Sequence, residues 1–412
     1  MNSNELPRSG KTILYLDIII HIYIQLGNLF DNVIIQGVVL MISLTSFTRE
    51  SIVGRLEYFK TGNKRANCEL IEKVIYALYL LEGLKKQEIE FIFKGGTSLL
   101  LLLSKIHRFS IDIDIIIGNT TNKEKLEGLF EKICNSGEVF YRFEGNFREN
   151  PRDIPKAHYK FYYKSELDSR EKYVMLDILF EENPYSNLME KEIKGEFILT
   201  EGENLKVYVP QIECILGDKL TAFAPNTTGI MYGMDKELEI IKQLFDIANL
   251  FDEVKYCKTI EQTFLKIVEN ELGYRGLTDI NYENVLMDTF ETCIIIAFRG
   301  AIEKEKYREL ENGIQKMRGY TAYKNYIIED AVLDAGKVAY LVLLLKYQHT
   351  EIEHYDNLIE VEKLNITNVK FIKGLKSIKK FSPEAYYYWY KAIELYDIHI
   401  NEEVSDAVVK DK

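Results

Sequence analysis

FIFKGGTSLLLLLSKIHRFSIDIDIII, residues 91–117, is the stretch that decides the fold. Phe91-Ile92-Phe93 is short, apolar and built of β-formers, which predicts a strand. Gly95-Gly96 then predicts a turn, because paired glycines accept backbone angles and close approaches that other residues resist. Thr97-Ser98 stands where a helix cap belongs, ahead of the apolar run Leu99 to Leu103. A second strand follows at Ile111-Asp112-Ile113-Asp114-Ile115. Strand side chains alternate faces, so Asp112 and Asp114 point the same way. Two readings of that pair stand. Both carboxylates lie on the solvent face of an edge strand, or they share a divalent cation, since hard cations such as Mg²⁺ prefer oxygen ligands. The glycine turn favours the second reading, because backbone N–H groups beside a helix N-terminus hold phosphate.

Lys94-Gly95-Gly96-Thr97-Ser98-Leu99, followed by Arg108-Phe109-Ser110-Ile111-Asp112-Ile113-Asp114, resembles the AbiEii/AbiGii nucleotidyltransferase toxins. These belong to the wider DNA polymerase β-like nucleotidyltransferase superfamily. The resemblance runs from about Thr45 to Phe251 and implies an α/β (α+β) fold. A nucleotidyltransferase core with a mixed β-sheet flanked by helices would be followed by a helical C-terminal domain. It also implies a reaction, Mg²⁺- or Mn²⁺-dependent transfer of a nucleotidyl group from an NTP to an acceptor hydroxyl. The tRNA 3′ end is the expected acceptor. Such proteins are the toxin halves of toxin–antitoxin or abortive-infection phage-defence pairs, and the expected partner is a cognate antitoxin of the winged-helix repressor type.

Residue by residue, the resemblance assigns Lys94, Gly95, Gly96, Thr97, Ser98, Arg108 and Ser110 to the nucleotide, and Asp112 and Asp114 to the metal. Asp177, isolated in the apolar strand Val174–Phe180, is the candidate third carboxylate; pairing with a neighbouring lysine is the plainer alternative. Lys219-Leu220-Thr221-Ala222 matches a helix whose lysine meets the nucleotide phosphates, although a lysine there can also snorkel to solvent. Lys242-Gln243-Leu244-Phe245-Asp246 matches a helix whose aspartate either orients Lys219 or acts as a base; an ordinary surface charge is the alternative for Asp246.

With 412 residues, two domains or one large one are allowed. Apolar and aromatic content excludes a disordered chain. The net charge of −12 excludes a general nucleic-acid coating protein, so any RNA contact must be a local patch. Cys68, Cys134, Cys214, Cys257 and Cys293 lie far apart with no C-x-x-C pair, which opposes a zinc site or disulfide framework and fits a reducing cytoplasm.

The chain divides into an apolar extension at 1–44, a nucleotidyltransferase domain at 45–255, a helical domain at 256–400 and a polar tail at 401–412. Within the first segment, Ile13 to Leu44 is long enough to span a bilayer. Asp17, His21, Gln25, Asn28, Asp31 and Asn32 interrupt it, and a translation start at Met41 is a further reading. Helices are expected at Glu69–Leu84, Lys123–Cys134, Gln211–Phe223, Asp235–Phe251, Ile260–Glu269, Tyr282–Arg299, Tyr323–Tyr347 and Pro383–Tyr396. Strands are expected at Val139–Phe143, Ala157–Lys164, Val174–Phe180 and Val207–Pro210. Tyr386-Tyr387-Tyr388-Trp389-Tyr390 reads as helix packing or as a base-stacking surface. A small-molecule nucleotidyltransferase of the antibiotic-modifying kind and a non-catalytic NTP-binding regulator remain the alternative functions.

Overall fold

A computed structural model describes residues 42–60, 67–136, 138–147 and 155–410, with side chains described through 145 and 400 in the last two segments. The apolar run through Met41, on which the membrane and start-site readings rest, lies outside them. From Ile42 onward the chain forms one compact unit. Ile42 and Ser43, inside the expected extension, are tied to the body. The Ile42 amide donates to Glu82 Oε2 at 3.0 Å, and the Ser43 amide to the Leu199 carbonyl at 2.7 Å.

The elements run α1 (Arg49–Lys60), α2 (Cys68–Lys86), β1 (Ile92–Lys94), α3 (Gly95–Leu102), β2 (Ile113–Ile117), α4 (Lys123–Asn135) and β3 (Phe140–Phe147). Next come β4 (Lys156–Lys164), β5 (Glu171–Phe180), β6 (Leu188–Glu192), β7 (Lys206–Pro210), α5 (Ile212–Ala222) and α6 (Glu237–Phe251). The helical end comprises α7 (Lys258–Arg275), α8 (Tyr282–Ala297), α9 (Lys304–Met317), α10 (Ile328–Lys346) and α11 (Pro383–Lys410).

Seven strands form one mixed sheet in the order β3-β4-β5-β2-β1-β7-β6. The pairs β2–β5 and β1–β7 are parallel and the rest antiparallel. β2 is therefore the central strand, which removes the reading of its carboxylates as an edge-strand surface. One sheet face is covered by α2 and α4. There Tyr76 stacks on Tyr163 with ring centroids 3.7 Å apart, and Phe130 meets Tyr159 and Phe161 edge-on. Each such buried aromatic pair adds about 0.5–1.5 kcal/mol beyond its area. On the opposite face, Cys214 of α5 and Ile267 of α7 pack on Ile116, with Ile92, Leu179 and Leu188 around them. That cover stops short of the N-terminal half of β5, whose burial alternates position by position.

In the helical region, α10 is buried from Ala331 to Leu345 except at Leu333, and packs against α6, α8 and α11. The aromatic run of α11 is core: Tyr386, Tyr387, Tyr388 and Trp389 are buried, and Trp389 Nε1 donates to the Val332 carbonyl at 3.0 Å. That excludes the base-stacking reading for these four.

Several elements depart from expectation. α9 was not anticipated, because KEKYRELENGIQKM is polar apart from one stripe of Tyr307, Leu310, Ile314 and Met317. β6 is a short edge strand of mixed character and gave no alternating signal. The helix expected from Tyr323 starts at Ile328, since residues 320–322 are drawn off to pair with 107–109. The expected polar tail is helical as far as Lys410.

Candidate active site

β1 passes into α3 with no intervening turn, contrary to the expected strand–turn–helix order. Gly95, at φ +74°, makes the break in one residue. The cap is consequently Lys94, with no side-chain capping bond, rather than Thr97 or Ser98. Both expected caps lie inside the helix. Thr97 Oγ1 donates to the Asp112 carbonyl at 2.5 Å and lies 3.0 Å from Ser110 Oγ; Ser98 Oγ donates to the Gly95 carbonyl at 2.8 Å. The glycines are dictated by proximity. A Cβ on Gly95 would fall 2.1 Å from Asp114 Oδ2, and one on Gly96 would fall 2.4 Å from Arg108 Nη2. The helix start, with its unsatisfied amides, is thus pressed against a carboxylate and a guanidinium.

Asp114 lies on β2, while Asp112 sits just ahead of the strand rather than in it. Asp177 on β5 is the register partner of Asp114 across the parallel pair. His158 on β4 stands opposite Asp177, its Nδ1 2.7 Å from Asp177 Oδ1. A carboxylate accepts, so this contact places the proton on Nδ1. Burial first, then the charges of Asp177 and Asp112, push the Asp114 carboxyl up to about 7. Burial and Asp177 also raise Asp112. A hard cation would relieve this repulsion, and the all-oxygen donor set suits Mg²⁺. Among the described residues, no group of three or more His, Cys, Asp or Glu side chains stands at metal-holding spacing. Mg²⁺ is commonly held by one or two carboxylates plus substrate phosphates, so the carboxylates present fit it without such a group.

The facing wall is cationic. Lys219 on α5 is 6% exposed rather than snorkelling; its Nζ lies 2.7 Å from Asp246 Oδ2 and 3.2 Å from Gln243 Oε1. Arg108 donates from Nε and Nη2 to the two Asp246 oxygens, each at 2.7 Å, and from Nη1 to the Phe109 carbonyl at 3.1 Å. Burial alone would raise the Asp246 carboxyl, but Arg108 and Lys219 overcome it and hold it at about 2. Both its oxygens face cations, an arrangement that opposes the reading of it as a base. Nor is it an ordinary surface charge, being 2% exposed.

Lys94 Nζ lies 3.2 Å from Asp218 Oδ2, which also accepts from the Tyr185 hydroxyl at 2.6 Å. Burial opposes the Lys94 charge, yet Asp218, Tyr185 and Asp114 raise its pKa well above the ordinary value. Lys242 is pushed down by burial and by Arg108, and its Nζ sits 4.3 Å over the Tyr320 ring.

These walls enclose a cleft of about 660 Å³ reaching Lys94, Asp112, Asp114, Asp177, Lys219 and Arg275. Its lip, residues 224–234, is pinned from the helical region. Asp288 accepts from the Asn226 amide (2.8 Å), Asn226 Nδ2 (2.6 Å) and Thr227 Oγ1 (2.8 Å). Arg275 donates to the carbonyls of Thr227, Thr228 and Gly229.

A family model described as "Nucleotidyl transferase AbiEii toxin, Type IV TA system" matches residues 79–329, more than half of the chain. The chain belongs to the AbiEii nucleotidyltransferase toxin family. Membership makes it a nucleotidyltransferase, with an NTP substrate and an antitoxin partner. No curated protein matches it. Among solved structures it is similar to the JHP933 protein of Helicobacter pylori, at 14% identity and TM-score 0.38 over 67% of this chain and 90% of the other. It is also similar to a putative nucleotidyltransferase from H. pylori, at 16% identity and TM-score 0.37 over 68% and 94%. A third is an antigenic nucleotidyltransferase-like protein from Paracoccidioides brasiliensis, at 15% identity and TM-score 0.31 over 50% and 92%. No helix among the described residues is long and apolar enough to cross a membrane.

In this AbiEii-family chain the residues expected at the site converge. Lys94, Gly95, Gly96, Arg108, Ser110, Asp112, Asp114, Asp177 and Lys219 all line the cleft. Thr97, Ser98 and Asp246 lie behind it. Arg108 is committed largely to Asp246 and builds the floor. The sequence reading passed over His158, Asp218 and Tyr185. Asp218 adjoins Lys219 and was visible as a second charge beside it on a largely apolar helix. His158 carries no local signal, because its partner Asp177 is nineteen positions away.

Proposed function

We propose that this toxin transfers a nucleotidyl group from an NTP to the 3′-terminal hydroxyl of tRNA, with Mg²⁺ or Mn²⁺, arresting translation in an abortive-infection response to phage. Its antitoxin would be a winged-helix repressor, and it would act in the cytoplasm. The observation that carries the reading is one cleft lined by Asp112, Asp114 and Asp177 together with Lys94, the register partner of Asp114, and by Lys219 from α5.

Two of Asp112, Asp114 and Asp177, together with the substrate phosphates, would hold the metal, which supplies charge neutralisation of the triphosphate and of the leaving pyrophosphate. The amides of Gly95 and Gly96 would receive the phosphates at the start of α3, with the Thr97 and Ser98 hydroxyls bracing the turn from behind. Lys219, aimed by Asp246, and Lys94, aimed by Asp218, would add positive charge beside them. The acceptor oxygen attacks the α-phosphorus, the bond to the β-phosphate oxygen breaks, and pyrophosphate departs. Asp177, oriented by His158, would take the acceptor proton. We assign 45–255 to the nucleotidyltransferase domain and 256–400 to the helical domain, with α7 contributing Arg275 to the cleft.

The test incubates the protein with Mg²⁺, each of four α-labelled NTPs and total bacterial RNA, beside an Asp112→Asn/Asp114→Asn control. Label on tRNA-sized RNA with the wild type alone is expected. Label on protein, or on no RNA, would refute the tRNA acceptor.

A further inference from the structure

We propose that the uncovered face of β4 and β5 is the platform on which an unpaired RNA 3′ end lies as its terminal hydroxyl enters the cleft. The inference rests on an RNA acceptor and adds where that acceptor is held.

Strand alternation puts one set of side chains on the same face as Asp177, and register sets them in rows. His158 stands opposite Asp177, Lys160 opposite Met175 and Tyr162 opposite Tyr173. The cover supplied by α5 and α7 ends near Leu179. Asp177 thus stands at the margin, with packed sheet on one side and open sheet on the other. From Asp177 to Tyr173 is four residues along the strand, or roughly 13 Å, a span of a few nucleotides.

The chemistry of the open part suits a polynucleotide. Tyr173 is 39% exposed, so part of its ring is open to a ligand. Lys160 Nζ lies 4.7 Å and Lys73 Nζ 5.9 Å from its ring centroid. Among the described residues, neither lysine forms an ion pair, in a chain where acidic residues outnumber Lys and Arg by 64 to 52. The carboxylates nearest in register are already engaged. Glu144 accepts from Arg142 and the Tyr162 hydroxyl, and Glu171 accepts from Arg142 and the Tyr141 hydroxyl. Aromatic rings stack on unpaired bases irrespective of sequence, and lysines beside them take the flanking phosphates. A base arriving at Tyr173 displaces an ammonium from the ring face, and that lysine moves to a phosphate, exchanging a cation–π contact for an ion pair. The arrangement also reconciles a net charge of −12 with RNA binding, because attraction is confined to one patch contiguous with the cleft.

The test measures binding of a fluorescent, unpaired RNA oligonucleotide to the full chain by anisotropy at several salt concentrations, with melting curves to establish folding. Tyr173→Ala is expected to weaken binding by about tenfold, and Tyr173→Phe to retain it. Lys73→Glu/Lys160→Glu is expected to reduce the slope of log affinity against log salt by about 1 to 2. Asp112→Asn/Asp114→Asn should bind RNA at least as well as the wild type while transferring no label. If the wild type does not bind the RNA, or if Tyr173→Ala and the lysine variant bind it unchanged, the platform is wrong, even where label transfer to RNA succeeds. Tyr173-dependent binding without label transfer would instead uphold the platform and defeat the proposed reaction.

Discussion

Asp246 is a residue whose removal should be felt sharply. Its carboxylate bridges Arg108 and Lys219, whose side chains are 8% and 7% exposed. Replacing it by Asn keeps the shape and deletes the charge, leaving two buried cations facing each other. Breaking a buried ion pair from one side costs about 3–5 kcal/mol, mostly through the uncompensated charge left behind. The folded-state pKa gives an independent figure. Asp246 is held at about 2 against an ordinary 3.8, and at 1.36 kcal/mol per unit this is about 2 kcal/mol of stability. A folded pKa below the unfolded one stabilises above pH 4 and is lost as pH falls through 4 toward 2. Urea unfolding at pH 7 should therefore show Asp246→Asn less stable by about 2–5 kcal/mol, with the gap narrowing in acid. Adding Lys219→Met should recover part of the loss, because only one buried cation then remains. Unfolding of Asp246→Asn indistinguishable from wild type at pH 7, or a double variant worse than the sum of its parts, would refute the reasoning.

Other predictions concern the cleft and the core. Asp114 is the reverse case: its folded pKa is raised to about 7, so it costs stability as pH rises from 4 through 7. Asp114→Asn should melt above the wild type at pH 8 in EDTA, lose that advantage below pH 5, and transfer no label. Gly95→Ala combines a left-handed φ of +74° with a Cβ 2.1 Å from Asp114 Oδ2. The backbone term alone costs about 1–2 kcal/mol, and label transfer should fall to background, read by calorimetry and the same RNA assay. Asp288→Ala removes three hydrogen bonds to the cleft lip; limited proteolysis should then cut within residues 225–234 faster in the variant than in the wild type. Trp389→Ala deletes a side chain of 0% exposure and should cost about 3–5 kcal/mol, measured by urea unfolding.

What the sequence by itself determined was local. The apolar periodicity of Leu70, Val74, Ala77, Leu78 and Leu81 announced α2, and the alternation in Ala157–Lys164 announced β4. The pairing of a lysine–glycine–glycine segment with Arg108 through Asp114 announced the family. Each is a pattern of neighbours within one element, where helix and strand geometry impose their own periods. The tertiary structure alone decided which charges meet. Nothing near Asp177 says that parallel pairing will set it beside Asp114, and nothing near Asp246 says that Arg108, 138 residues away, will fork onto it. The glycines show the same division. Their presence predicted an unusual backbone, but the structure replaced the expected turn with a helix that starts at Gly95, where any Cβ would meet the Asp114 carboxylate. Likewise the uncovered face of β4 and β5 follows from where α5 and α7 end, a matter of packing between distant segments that no local pattern records.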